Sequence, residues 1–349
     1  MFTWASDDPG VGRTTWRWYR GVDGGFADPA VWRLPLPVAA WQSASTVVRD
    51  LDADARPDLL VWDGADWRWY RGVDGGFEAV SRPWALPEGI DHAPFGRLGD
   101  AAGETFEWDL RDLDGDGVPD LVVYVDDARP EVGQTVWRSW AGSATGFVGP
   151  ERPWALPADG LDHWGSPRGA PWALVTLDRL PRPELVLRSE PADATVGTTL
   201  WRVWRAGPDG FVAPAEGFDL PTDYTPGFFE GVDGGLWTAR DLDGDGALDL
   251  VVTESDDAAA VEPGRTEWHL HRGDRAWFDA RPRSFELPPA YPVGTFAHAA
   301  GGHGPTIWGL TDVNGDDRPD VLVTSWDAGT FEGLGVRRWV AHVGVCAPQ

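Results

Sequence analysis

The chain has no lysine, one cysteine, one methionine, one asparagine and two isoleucines in 349 residues. A lone Cys346 excludes an intrachain disulfide framework, so cysteine usage does not fix the compartment. All 29 basic residues are arginine, and with the scarcity of Asn and Ile this reads as coding bias in a GC-rich genome. The arginine excess is therefore not taken as functional. The formal net charge of −27 leaves no clustered positive surface for a nucleic-acid backbone, whereas it suits divalent cations. No run reaches the roughly 18 apolar residues of a membrane span, so membrane insertion is not expected. The opening MFTWASDDPG lacks the charged and apolar regions of a signal peptide. Sustained helical periodicity is absent, and so are a nucleophile elbow, a phosphate loop and a zinc motif.

What is abundant is repetition. Residues 111–124 read RDLDGDGVPDLVVY, and 240–253 read RDLDGDGALDLVVT. The acidic motif starts at Asp50, Asp112, Asp241 and Asp312, with a degenerate copy at Thr176, at spacings of 62, 64, 65 and 71 residues. Trp108, Trp172, Trp237 and Trp308 stand four residues before four of these copies. A Trp-led run follows (Trp16, Trp67, Trp137, Trp201, Trp268, Trp339), then a Gly-Phe pair, then an aromatic-x-Leu-Pro.

Each unit thus holds four short apolar runs separated by Gly, Pro and Asp turns, here named strands a to d. Strand a ends in the acidic loop, b is the aliphatic run, c the Trp-led run, and d runs from Gly-Phe to Leu-Pro. Four strands per repeat of about 64 residues read as an all-β propeller. The expectation is one domain over 1–349 with repeats 1–40, 41–103, 104–167, 168–232, 233–303 and 304–349. That makes six blades, the first lacking strand a and the last strand d; five or seven are the alternatives.

The acidic spacing has a physical reading. In DxDxDGxxD, alternate carboxylates converge when the chain curls, and their repulsion is relieved by a hard cation with six to eight oxygen ligands. The expected ligands are Asp112, Asp114, Asp116, the Val118 carbonyl and Asp120; Asp241, Asp243, Asp245, Ala247 and Asp249; and Asp312, Asn314, Asp316, Arg318 and Asp320. Asp50, Asp52, Asp54, Arg56 and Asp58 form a fourth set. There Ala53 and Ala55 replace both glycines, so weaker binding is expected. The Thr176 copy keeps only Asp178 and Glu184, and no metal is expected there. An EF-hand is excluded because its twelfth position would be Val123, inside a β-type run. A filled oxygen cage leaves no open position for a substrate, so a stabilising rather than catalytic ion is expected.

DLDGDGVPDLVV with its later Gly-Phe resembles FG-GAP/VCBS repeats across essentially the whole chain. The resemblance implies a propeller like those of integrin α-subunits and fungal propeller lectins. It further implies Ca2+ in the loop between the first two strands of a blade, and an extracellular or cell-surface setting. The recurring Trp residues, and Trp32, Trp84 and Trp154 with Phe218 and Phe285, read as packing between blades.

In a four-stranded meander the a–b and c–d turns share one face, and the long b–c and d–a connectors share the other. Long, non-repeating loops on a rigid scaffold are where propellers bind. The candidate contacts there are His92, His163, Trp164, Tyr224, Phe228, Tyr291, His298 and His303. Asp91-His92 recurs as Asp162-His163, which reads as a loop hydrogen bond. Arg272-Gly273-Asp274 matches an integrin-binding tripeptide but falls in a blade turn and reads as chance. The leading expectation is a non-enzymatic, calcium-stabilised propeller binding a protein or glycan through the long-loop face. The alternatives are a lectin with repeated sugar sites and a polysaccharide lyase drawing on His163, Tyr224, Arg168 and His303.

Overall fold

The computed structural model describes residues 46–90 (bar 55, 57, 64–65, 74–75 and 89), 105–254 (bar 160, 162, 166–169, 178–179, 231–235 and 243–244) and 267–287 (bar 275). It also describes 30–35 and the strand backbones at 2–3, 15–18, 21–22, 25–26, 98–99, 307–311, 320–325 and 340–342.

The chain is an all-β propeller of four-stranded antiparallel blades. Four blades are complete among the described residues. The Asp50 blade pairs Thr46–Arg49, Asp58–Trp62, Trp67–Tyr70 and Arg82–Pro83. The Asp112 blade pairs Thr105–Arg111, Asp120–Asp126, Val136–Ala141 and Val148–Ala155, with Leu98–Gly99 added at the edge of strand a. The Thr176 blade pairs Trp172–Val175, Glu184–Leu187, Leu200–Trp204 and Glu216–Asp219. The Asp241 blade pairs Trp237–Arg240, Asp249–Val252, Glu267–His271 and Arg283–Glu286.

The expected count of six is therefore corrected to four complete blades, and neither five nor seven is met. The flanking repeats stop short. Ile307–Thr311, Asp320–Ser325 and Val340–His342 form a three-stranded sheet. Phe2–Thr3, Thr15–Trp18 and Ala30–Arg33 pair in the first repeat. A blade needs four runs that pair in turn, and among the described residues each end repeat pairs three.

Local sequence explains the strands. Strand b is central in its blade and covered on both faces, so it is continuously aliphatic: DLVV at Asp249–Val252 is buried throughout, as is ELVL at Glu184–Leu187. Strand c of the Asp50 blade alternates. In Trp67–Tyr70 the tryptophans are buried and Arg68 and Tyr70 are half-buried, the period-2 signature of a strand with one wetter face.

The core lies between successive blades. The strand-c Trp of one blade meets the Trp at the start of strand a of the next: Trp67–Trp108 at 6.2 Å, Trp137–Trp172 at 5.4 Å and Trp201–Trp237 at 5.3 Å between ring centroids. All six are essentially sequestered from solvent. The repeated tryptophans are thus inter-blade packing, and each large ring fills the wedge between twisted sheets.

A second device joins blades at the rim. The Gly-Phe segment of one blade hydrogen-bonds to the end of strand d of the preceding one. Phe211 N–H donates to the Ala155 carbonyl and Ala155 N–H to that of Asp209, both at 3.0 Å. Phe278 N–H donates to Asp219 and Asp219 N–H to Ala276, at 3.1 and 3.0 Å. Gly76 pairs likewise with Arg33.

Candidate metal centre and blade-junction cleft

The acidic loops close on their last acid first. Asp120 accepts Leu113 N–H at 2.9 Å on one oxygen and Gly142 N–H at 2.8 Å on the other. Asp58 does the same with Leu51 and Gly72, at 2.9 and 2.6 Å. Asp249 does so with Leu242 and Gly273, both at 3.0 Å. This carboxylate is a bracket that ties the a–b loop to the c–d turn. Glu184 keeps half of it in the degenerate loop, accepting Leu177 N–H at 2.8 Å, where Thr176 and Leu180 stand at two of the acidic positions. The bracket is thus separable from any metal role.

Burial pushes Asp58 and Asp120 up to about 6, against the pull of the N–H donors. Neighbouring Asp52 adds to the rise at Asp58, and Asp114 and Asp112 add to it at Asp120.

Ahead of the bracket the chain curls as the spacing requires. Asp112 accepts N–H bonds from Gly115 at 2.7 Å and Gly117 at 2.9 Å, and Asp116 accepts one from Val118 at 2.8 Å. Gly115 and Gly117 take φ of 77° and 87°. Ala53 takes φ of 57° in the Asp50 loop, so the alanine adopts the left-handed turn at a cost of about 1–2 kcal/mol.

Asp112, Asp114 and Asp116 present carboxylate oxygens within 4.8 Å of one another. Burial raises the Asp112 pKa, with Asp116 and Asp114 adding to the rise. Among the described residues no arginine or histidine pairs with these three carboxylates. An all-oxygen, mutually repelling donor set of this kind fits a hard divalent cation. These three would hold it, with the Val118 carbonyl and Asp120 beside them.

The Asp50 loop also brings oxygens of Asp50, Asp52 and Asp58 within 4.8 Å, but Arg71 reaches into it. Arg71 Nε lies 2.6 Å from Asp52 Oδ2, and Nη2 lies 2.9 Å from Asp54 Oδ2. In the Asp241 loop, Asp241 accepts N–H bonds from Asp245 and Gly246, and Arg272 Nη2 lies 3.0 Å from Asp245 Oδ2. Asp243 lies outside the described residues, as do Asp312, Asn314, Asp316 and Arg318; Asp320 is described only as the first strand residue opposite Thr311.

The candidate contacts on the long connectors separate into two groups. His163 is exposed. Trp164 has no exposed surface; its indole N–H donates to Pro157 O at 3.2 Å, and its own carbonyl accepts from Trp137 Nε1 at 2.8 Å. Phe228 is buried and stacks on half-buried Tyr224 at 4.9 Å. The Tyr224 hydroxyl donates to His271 Nε2 at 2.8 Å, while His271 Nδ1 donates to the Asp279 carbonyl at 2.6 Å. His271 is buried, and desolvation lowers its pKa. This pair was not anticipated, because His271 sits in an ordinary strand-c position. His92, Arg168, Tyr291, His298 and His303 lie outside the described residues.

A cleft of about 430 Å³ opens where the Asp50 and Asp112 blades meet. Leu86, Trp140 and Phe147 line it, with Glu88 and Glu151. By analogy with the other junctions, Ala85 would bridge to Gly146 here. Among the described residues no backbone hydrogen bond joins these segments, although Phe147 packs edge-on against Trp84 at 5.6 Å much as Phe211 does against Trp154 at 5.8 Å. The junction therefore stays unlatched. Arg138 secures one wall, with its guanidinium 5.0 Å over Trp140 and its Nη2 2.8 Å from Glu151. Burial raises the Glu151 pKa, but hydrogen bonds and charge from Arg138 and Arg129 outweigh it and hold the carboxyl below its ordinary range.

No family model matches the chain, and no curated protein matches it. Among solved structures, it is similar to an Agrocybe aegerita lectin studied for recognition of non-reducing terminal N-acetylglucosamine. The identity is 13%, with 99% of this chain and 79% of that one covered, and a TM-score of 0.49. It is similar to the Photorhabdus luminescens Tc holotoxin pore at 15% identity and a TM-score of 0.43, covering 94% of this chain but 16% of that one. The Dos1 propeller matches at 9% identity and a TM-score of 0.28, covering 89% of this chain and 62% of that one. At these identities and scores the likenesses carry no argument about function.

Proposed function

We propose that this propeller is a non-enzymatic, calcium-stabilised binding scaffold of the FG-GAP/VCBS type, acting outside the cell on a glycan or protein partner. The observation that carries the binding role is the unlatched junction. A concave site that brings aromatic surface and convergent polar groups together is a common form of ligand site. Leu86, Trp140 and Phe147 supply the apolar part of a mostly polar lining, Glu88 supplies an acceptor that suits hydroxyl donors, and Glu151 is held by Arg129 and Arg138. Glu88 opens the 88–104 connector, so the cleft adjoins the long-loop face. The calcium role rests on the repeated motif and on the unpaired carboxylates of the Asp112 loop.

The test is a glycan array and a partner pull-down on the purified chain, in calcium and in chelator, with Glu88→Gln and Phe147→Ala alongside. Retention of one glycan or protein by the wild type, lost in the cleft variants at unchanged circular dichroism, is the expected result. A chain that captures nothing in either format, or binding indifferent to both substitutions, would overturn the proposal.

A further inference from the structure

We infer that Arg71 is a built-in counter-ion that takes the place of a metal ion in the Asp50–Asp58 loop, so that this loop is closed without calcium. The inference builds on the calcium reading of the Asp112 loop.

The bracket makes the substitution possible. The glycine after strand c is tied to the last acid of its own loop: Gly72 to Asp58, Gly142 to Asp120 and Gly273 to Asp249. The residue just before that glycine is thereby delivered to the mouth of the acidic loop in these three blades. It is Arg71 in one, Ala141 in the next and Arg272 in the Asp241 blade; the degenerate blade has Arg205 at the matching place. Each arginine turns to its loop. Arg71 spans Asp52 and Asp54, Arg272 reaches Asp245, and Arg205 lies 3.5 Å from Glu184. The Asp112 loop has Ala141 at that place, and Arg182 of the next blade, which donates to the Asp114 carbonyl at 2.8 Å, pairs with none of its carboxylates.

A guanidinium and a calcium ion cannot share these oxygens. Calcium requires six to eight oxygens at 2.3–2.6 Å, and the guanidinium holds one oxygen each of Asp52 and Asp54 while repelling a second cation. Its planar fork suits two carboxylates at once, which a lysine would not match. The displaced Asp54 no longer belongs to the convergent set of Asp50, Asp52 and Asp58. Asp52 Oδ1 remains buried without a hydrogen-bond partner, the oxygen a cation would recruit once the arginine is gone. One sequence position thus sorts the loops. In the sequence Val343 holds the matching position of the Asp312 repeat, and both it and the Asp312 loop lie outside the described residues; the same rule assigns that loop to an external cation.

The experiment is calcium titration by isothermal calorimetry on the full chain, with melting temperature in calcium and in chelator. The variants are Arg71→Ala, Asp52→Asn and Asp112→Asn. Arg71→Ala is expected to bind one more equivalent of calcium than the wild type, and its melting temperature to become more calcium-dependent. Asp52→Asn is expected to leave the wild-type stoichiometry unchanged. An Arg71→Ala chain with no added equivalent and no added calcium dependence would overturn the inference, as would loss of one equivalent on Asp52→Asn alone. Asp112→Asn reports separately on the calcium reading. If it removes no equivalent, that reading fails, while the gain in Arg71→Ala still decides the role of Arg71.

Discussion

Replacing Gly210 with alanine measures what the inter-blade latch contributes, because the same position in the neighbouring blade is a built-in control. Gly210 has φ of 150°, and a Cβ there would lie 2.6 Å from the Cβ, nitrogen and oxygen of Ala155. Ala155 is fixed in strand d, so the two segments must part and both latch hydrogen bonds are lost. At about 0.5–1.5 kcal/mol each, these sum to roughly 1–3 kcal/mol. Backbone strain at a glycine-type φ adds about 1–3 kcal/mol. Gly146 carries the same strain at φ of 120°, but its Cβ would meet nothing within 4 Å. Gly146→Ala is therefore expected to show the strain alone. Urea unfolding followed by far-ultraviolet circular dichroism gives both losses. Hydrogen exchange at the Phe211 amide, expected to quicken only in Gly210→Ala, locates the change. Equal losses for the two variants, within about 0.5 kcal/mol, would refute the latch.

Three further outcomes are expected. Asp58 and Asp120 are raised to about 6 in the folded chain, above the ordinary 3.8, so their contribution to stability is full below about 4 and is lost as pH rises through 6. In chelator the melting temperature should fall from about pH 4 to 6 and level off above that, and added calcium should flatten the fall; a flat profile in chelator would contradict the burial argument. Tyr224→Phe leaves the buried His271 Nε2 without its donor and should cost about 1–3 kcal/mol in urea unfolding. An unchanged midpoint would show that the pair contributes nothing. Trp164→Ala removes a fully buried indole and should cost about 3–5 kcal/mol, read as a lowered urea midpoint; loss of partner binding at wild-type stability would instead make Trp164 a contact residue.

Much of the fold was legible because repetition multiplies weak signals. A single WRWYRG run is ambiguous, but its recurrence between acidic loops and Gly-Phe pairs marks the four strands of each blade. The inter-blade role of Trp67, Trp137 and Trp201 followed from the same recurrence, since one position filled by one large ring in many units is a packing position. The blade count was not legible, because sequence registers a strand by its composition whereas a blade exists only when all four runs find partners. Among the candidate contacts, the burial of Trp164 was not legible, because an aromatic in a long connector is covered only when that connector folds back over it.

The sequence by itself determined the repeat, the strand order within each blade, the acidic curl with its left-handed turn, and the layer of tryptophans between sheets. All of these depend on neighbours in the chain or on a period. The tertiary structure alone decided that the last acid of each loop is a bracket and that Arg71 and Arg272 turn into the loops their own blades carry. It also decided that one blade junction stays open while others are latched. Those outcomes depend on groups brought together across turns and between sheets. There, distances of 2.6 to 3.0 Å separate a neutralised carboxylate from a repelling one.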